Sequence, residues 1–312
     1  MNHASFIHAH AADADWRVVL AECRQQLDTR MTASAAEQHV SAQFTLGWCY
    51  LSDYYASESA AILDELRRAY PGVAWVGTVG VGVAASGVEY IDEPALALML
   101  APLPRESFRL FSGQQPLPAG SSRFVAHTAL VHAEGTTPDL QELLQELSAR
   151  TTTGYLFGGL SSARNRPVHF ADGVFSGGLS GVLFGPDVGL ISRVTQGCQP
   201  AGPVRTITRA EHNLVVTLDG KPALDCVLQD LGLDEDLSTD ELSQALSTTL
   251  VGLSTGAEGR GGPHFGARHA ELQTVRDALG EVPLVGFFAG GEIARSHLYG
   301  YTGVLTVFTS RD

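Results

Sequence analysis

At 312 residues, 44% hydrophobic and 17% charged, the chain has an ordinary globular composition and length enough for about two domains. Its 20 basic and 34 acidic residues leave a formal charge of −14, a field that repels a polyphosphate backbone and excludes nucleic acid as an expected partner. The cysteines at 23, 49, 198 and 226 form no C-x-x-C pair, which fits reduced thiols in a cytoplasmic protein. No run reaches the ~18 uninterrupted apolar residues that span a bilayer, so no membrane association is expected. The opening MNHASFIHAHAADADW lacks the basic region of a leader, and His3, His8 and His10 read as a solvated terminus rather than a metal-binding tail.

Trp16, Val19, Leu20, Cys23 and Leu27 recur at three- and four-residue spacing and predict a first helix, with Asp13 or Asp15 at its start. Phe44 to Leu51 reads as a buried strand. Ile62, Leu63, Leu66 and Tyr70 then share one helix face, closed by Pro71-Gly72. Strand Val73 to Val76 enters a glycine turn at Gly77, Gly80 and Gly82. This spacing is not a dinucleotide fingerprint, because no helix follows to hold a pyrophosphate. Pro94 to Leu100 is apolar throughout and predicts a central strand.

After a loop at Pro116–Ser122, Val125 to His132 alternates as a strand, and Thr137-Pro138 opens a helix carrying Leu140, Leu143, Leu144 and Leu147 inward. A second glycine turn is expected at Gly158-Gly159, leading to a polar loop with Ser161, Ser162, Arg164, Asn165 and Arg166. Val174–Phe184 and Val188–Val194 read as a hairpin turned at Gly185-Pro186-Asp187. Leu214, Val216 and Leu218 make a strand, Pro222 opens a helix, and a capping box at Ser238 and Glu241 predicts another over Leu242, Leu246 and Leu250. Thr255–Pro263 has a loop's composition. A last helix bears Leu272, Val275 and Leu279, and strands Pro283–Phe288 and Val304–Phe308 flank Gly290-Gly291-Glu292.

The runs at 73–100, 154–184 and 283–308 share one order of parts: helix, strand, glycines, polar connection, apolar strand. The fold class expected is therefore α/β, with mixed sheets flanked by helices and two related halves built from this repeated unit. The segments also resemble the FIST family, sensory modules of bacterial signalling proteins that occur in eukaryotic F-box proteins too. The resemblance lies in Gly197-Cys198-Gln199-Pro200 with Gly202-Pro203, and in Ile207-Thr208, Asn213 and Leu218-Asp219-Gly220 with Pro222-Ala223. It continues in Gly286-Phe287-Phe288 with Gly290-Gly291-Glu292-Ile293, and in Tyr299, Tyr301 and Thr302-Gly303-Val304-Leu305. It implies an N-terminal helical extension (1–42), a FIST N-like domain (43–196) and a FIST C-like domain (197–312). The last is shortened near 250–262, where relatives usually carry a further block of strands.

The family implies a non-catalytic protein that senses a small metabolite such as an amino acid, without a resident cofactor; one branch is reported to bind haem and sense nitric oxide. Output would pass to a separate signalling protein, such as a histidine kinase or a cyclic-nucleotide enzyme. The residues expected to meet the ligand are Gly77, Thr78, Gly158, Gly159, Ser161, Arg260, Phe288, Gly290, Gly291, Glu292, Tyr299 and Tyr301. Glycines at strand ends let a ligand approach backbone N–H groups, and Arg164, Arg260 or Arg295 can neutralise a carboxylate. Glu292 can hold an ammonium group, or simply cap a turn or pair with Arg295; the tyrosines line a pocket or pack. For haem, nothing distinguishes His127, His132, His169, His212, His269 and His297 by spacing. Hydrolysis is the more distant alternative. Ser161-Ser162 lacks a nucleophile elbow, and Cys198 has no base at a motif spacing.

Overall fold

Strands that run parallel must be joined by a crossover, and here a helix supplies it twice. β2 (Leu46–Ser52) lies parallel to β3 (Ala74–Gly80) across α2 (Ser59–Ala69). In the same way β8 (Thr128–Glu134) lies parallel to β9 (Tyr155–Ser161) across α3 (Leu140–Ala149). These pairs sit at the centres of two six-stranded sheets in a computed structural model that describes residues 6–38, 43–113, 124–196, 201–211, 214–233, 240, 242, 269–300 and 302–309. The mixed α/β class expected from the sequence is the class observed. The chain forms two units, residues 1–195 with 255–312 and residues 196–254.

In the larger unit, the first sheet runs in the order β1 (Ile7–Ala12), β6 (Ala95–Ala101), β2, β3, β10 (His169–Ala171), β11 (Val174–Phe175). The second runs β7 (Phe108–Ser112), β12 (Leu179–Phe184), β8, β9, β18 (Glu292–Ala294), β19 (His297–Tyr299). The pairings match step for step: two antiparallel contacts, one parallel, then two antiparallel. β17 (Val285–Phe287), β4 (Gly82–Ala85) and β5 (Val88–Ile91) make a third sheet, and β13 (Gly189–Gln196) pairs with β20 (Thr302–Thr309).

A cyclic exchange of hairpins results. The hairpin that follows β9, namely β10–β11, pairs with β3; the hairpin that follows β17, namely β18–β19, pairs with β9; the hairpin that follows β3, namely β4–β5, pairs with β17. The registers agree in detail: Phe170 lies opposite Gly77, Ile293 opposite Gly158 and Ala84 opposite Gly286.

The larger unit is layered helix, sheet, sheet, helix. Ile62, Leu63 and Leu66 of α2 and Val19, Leu20, Cys23 and Leu27 of α1 (Trp16–Gln38) bury against Cys49, Leu51, Leu96 and Leu98. The opposite face of that sheet meets the second sheet through Trp48, Val76, Met99, Leu130, Phe157, Val182 and Phe184. Leu140, Leu144 and Leu147 of α3 cover the far side. Full burial of each such side chain contributes about 1.5–3 kcal/mol.

Two expectations are corrected by long-range pairing. The segment 1–42 is not only helical: the alternation Ile7-His8-Ala9-His10-Ala11 makes β1, with Ile7, Ala9 and Ala11 in the core. The outer edge of β1 is protected by α1. The Gln26 amide both donates to the His10 carbonyl (2.8 Å) and accepts the His10 N–H (3.2 Å), and Arg30 donates to the His8 carbonyl. The hairpin expected between 174–184 and 188–194 does not form. β12 pairs with β7 and β8 instead, β13 pairs with β20, and Gly177 and Gly178, both in the left-handed region, break the run before β12. The expected helix beyond Leu242 and the loops at Pro116–Ser122 and Thr255–Pro263 lie outside the described residues.

The smaller unit joins β14 (Ile207–Glu211), β15 (Leu214–Leu218) and β16 (Lys221–Pro222) to α4 (Ala223–Leu231). Gly232, in the left-handed conformation, ends α4, and Leu233 N–H returns to the Leu228 carbonyl. Arg205 spans both oxygens of Asp230 (2.7 and 2.5 Å) and reaches Asp219 (3.3 Å). A last helix, α5 (Ala270–Leu279), belongs to the larger unit. Among the described residues no helix is long and apolar enough to cross a membrane.

Candidate functional site

The expected site residues converge where the hairpins are exchanged, but not on turns. Gly77 and Thr78 lie inside β3, and Gly158, Gly159 and Ser161 inside β9. Glycine is needed there because the strands approach closely. A Cβ on Gly77 would stand 1.8 Å from the Cys49 carbonyl oxygen, and one on Gly158 2.0 Å from that of Val131. The corner of the chain comes later, at Gly80 and Gly82, where Phe287 and Phe288 pack on it.

Hydrogen bonds sew these segments together. Ser161 Oγ lies 2.6 Å from Thr78 Oγ1, which donates to the Val168 carbonyl (3.0 Å). Ser162 Oγ accepts the Val81 N–H (2.9 Å) and donates to the Phe288 carbonyl (2.5 Å), while Phe288 N–H donates to the Gly82 carbonyl (3.0 Å). Gly290 N–H meets the Leu160 carbonyl (2.9 Å), and Leu160 N–H meets that of Gly291 (2.8 Å). The place a Gly159 side chain would occupy holds Ala289. Much of the glycine-rich surface is therefore filled by the protein's own backbone.

What stays partly open is the stretch from Phe288 through Gly290, Gly291 and Glu292 to Tyr299. Glu292 stands opposite Gly159 on one side and Tyr299 on the other, and its Oε2 accepts the Thr302 hydroxyl at 2.7 Å. Arg164 is committed elsewhere, to Asp53 and Asp92 and over the Tyr54 ring. Arg295 occupies the exposed β18–β19 turn. Arg260 and Tyr301 lie outside the described residues.

Beneath this rim is a buried polar centre that spacing did not single out. Tyr50 OH lies 3.3 Å from His132 Nε2, and the Phe287 ring packs on both, with centroids 5.1 and 5.6 Å away. His132 is fully buried, and its Nδ1 has no hydrogen-bond partner among the described residues. Burial first, and then the neighbouring His169, push its pKa down to about 3. His169, also fully buried, donates from Nε2 to the Gly177 carbonyl (3.2 Å), so its Nδ1 accepts the Ser180 hydroxyl (2.6 Å). Burial lowers its pKa as well. The available sequence signal was a polar tip inside an otherwise apolar strand, Tyr50 in FTLGWCYL and His132 in TALVHAE.

The remaining histidines are dispersed. His127 contacts Thr152 (2.9 Å), His269 Nδ1 accepts the Glu89 N–H (2.8 Å), His297 is exposed, and His212 is outside the described residues. Among the described residues no group of three or more His, Cys, Asp or Glu could hold a metal ion. Burial raises the thiol pKa of Cys23 and Cys49 far above the reactive range.

The fold and this junction define a mixed α/β protein that exchanges hairpins around a glycine-lined centre. A family model described as FIST N domain matches residues 45–221, more than half of the chain, so the protein belongs to the FIST family, whose domain serves sensing and signal transduction. Two uncharacterized proteins of Mycobacterium tuberculosis are each 26% identical over 375 aligned residues, covering 90% of this chain and 97% of theirs. An uncharacterized protein of Mycobacterium bovis is 25% identical, covering 81% of this chain and 88% of its own. The 375-residue alignments are longer than the 312-residue chain, so those relatives carry residues that it lacks.

Proposed function

We propose that the protein is a non-catalytic sensory module that binds a small polar metabolite, an amino acid or a related amine, at the Gly290–Tyr299 rim. Occupancy is passed to a separate signalling protein such as a histidine kinase or a cyclic-nucleotide enzyme. The observation that supports this reading is the placement of Glu292. Glu292 is half-buried, its carboxylate is oriented by the Thr302 hydroxyl, and it stands on a strand flanked by side-chain-free Gly159 and by Tyr299. An ammonium group meeting that carboxylate gains a charge-assisted hydrogen bond, worth about 1.5–3 kcal/mol.

A thermal-shift screen of amino acids, amines and matched carboxylates tests the proposal. Amine-bearing compounds are expected to raise the melting temperature, and E292Q is expected to weaken the response about 10- to 100-fold while leaving the apo melting temperature near wild type. Equal responses from wild type and E292Q would sink the assignment. The visible spectrum after haem addition separates this reading from the haem alternative: no saturable one-to-one Soret band is expected.

A further inference from the structure

A second surface, away from Glu292, has the chemistry of an anion site. A cleft of about 580 Å³ is bounded by Asp64, Arg67 and Arg68 from the end of α2, by Gly72–Ala74 at the entry to β3, by Arg105 ahead of β7, and by Asp172 in the β10–β11 turn. This volume suits a small molecule. Three of the chain's few basic residues meet here, although the whole sequence carries a charge of −14.

The three guanidinium groups differ in their partners. Arg68 pairs with Glu65. Arg67 and Arg105 make no side-chain hydrogen bond or ion pair among the described residues. Burial raises the pKa of the Asp172 carboxyl, and both arginines act on it in the opposite direction. Asp172 is fixed in place. Its Oδ1 accepts the Trp75 N–H (2.8 Å), its own N–H meets the Trp75 carbonyl (2.8 Å), and its backbone is left-handed at φ +54°. Gly72 keeps the floor open: a Cβ there would meet only the Arg105 guanidinium, at 3.9 Å.

A last-turn arginine by itself complements the helix dipole and needs no ligand. Arg105 has no such explanation, since it arrives from a separate segment and lines the same cleft. From this convergence we infer that the cleft binds a small oxyanion, carboxylate or phosphate, between Arg67 and Arg105, with Asp172 accepting a hydroxyl or other donor on the same ligand. Planar guanidinium groups bind such oxyanions bidentately. Asp172 repels an anion without a donor, which selects hydroxycarboxylates or singly protonated phosphates over simple carboxylates.

Isothermal titration of the full chain at low ionic strength, with inorganic phosphate, lactate and acetate as probes, tests this. Saturable one-to-one binding is expected for phosphate or lactate, with acetate at least tenfold weaker; the stronger of the first two identifies the source of the oxyanion. R67Q and R105Q should each weaken binding at least tenfold, R67K should recover only part of it, and D172N should erase the preference for lactate over acetate. R150Q, which removes an exposed pair with Glu146 elsewhere, should change nothing. No saturable binding by any probe, or binding unaltered in R67Q and R105Q, would overturn the inference. E292Q should leave these titrations unchanged, so failure here and failure at the rim are distinguishable.

Discussion

Alanine at Gly77 or Gly158 is expected to remove a large part of the protein's stability, whereas alanine at Gly286 should be tolerated. The three positions are equivalent in register, each facing the first strand of an exchanged hairpin. Their surroundings differ. At Gly77 and Gly158 a parallel strand lies alongside, and the added methyl would meet its carbonyl oxygen at 1.8 or 2.0 Å. That obstacle is backbone inside a sheet and cannot rotate away. Backbone angles of φ +156° and +136° add strain for any L side chain. Together, overpacking and backbone strain cost about 3–5 kcal/mol, a large part of the ~5–15 kcal/mol by which folded domains are stable. At Gly286 the methyl would meet only the Ala84 side chain, at 3.7 Å, an ordinary contact. Urea denaturation of the three variants checks the contrast, and a G158A protein as stable as G286A would refute it.

Stability should also fall steeply below about pH 6.5. In the folded state His132 holds a pKa of about 3, while the unfolded chain restores the ordinary value of 6.5. Above 6.5 both states are neutral at this ring and it contributes no pH dependence. Below 6.5 the unfolded state binds a proton that the folded state refuses, so stability is lost at up to about 1.4 kcal/mol per pH unit, reaching about 4 kcal/mol by pH 3. His169 is lowered in the same direction and steepens the slope. Denaturant melts from pH 7.5 to 5 should show the loss, in a range where ordinary carboxylates scarcely titrate. In H132Q the slope should shrink by one proton's worth. Stability that is flat from pH 7.5 to 5 would show that these rings are not held neutral.

Local patterns were legible where local physics decides. The Ile62, Leu63, Leu66 stripe and the uniformly apolar β6 could be read directly, because helix period and full burial leave marks within a short window. Gly77 and Gly158 were visible but read as turns. Their true reason is a backbone carbonyl on a parallel strand, Cys49 on β2 for one and Val131 on β8 for the other. A whole crossover helix intervenes in each case, so no short window contains both partners. The hairpin expected at Gly185-Pro186-Asp187 failed likewise: a good turn sequence cannot announce that β12 will find β7 and β8. At the proposed rim, Glu292, Gly291 and Tyr299 could be named together because they are close in sequence. Tyr50, His132 and Phe287 come from β2, β8 and β17, three strands with whole elements between them, so only the fold could assemble them.

The hairpin exchange also sets the order in which the chain can fold. β4 and the turn after it leave the ribosome long before β17, the strand with which β4 pairs. At translation speeds of about 5–20 residues per second, a gap of this order leaves β4 waiting roughly 10–40 s for its partner. The outer edge of β9 waits similarly for β18, which is made only after β17. During that interval the strands that will pair with β17 and β18 carry unpaired edges. Closure of the cycle then waits for these last strands, and yield during expression should depend more on temperature and chaperone supply than on the stability of the finished protein.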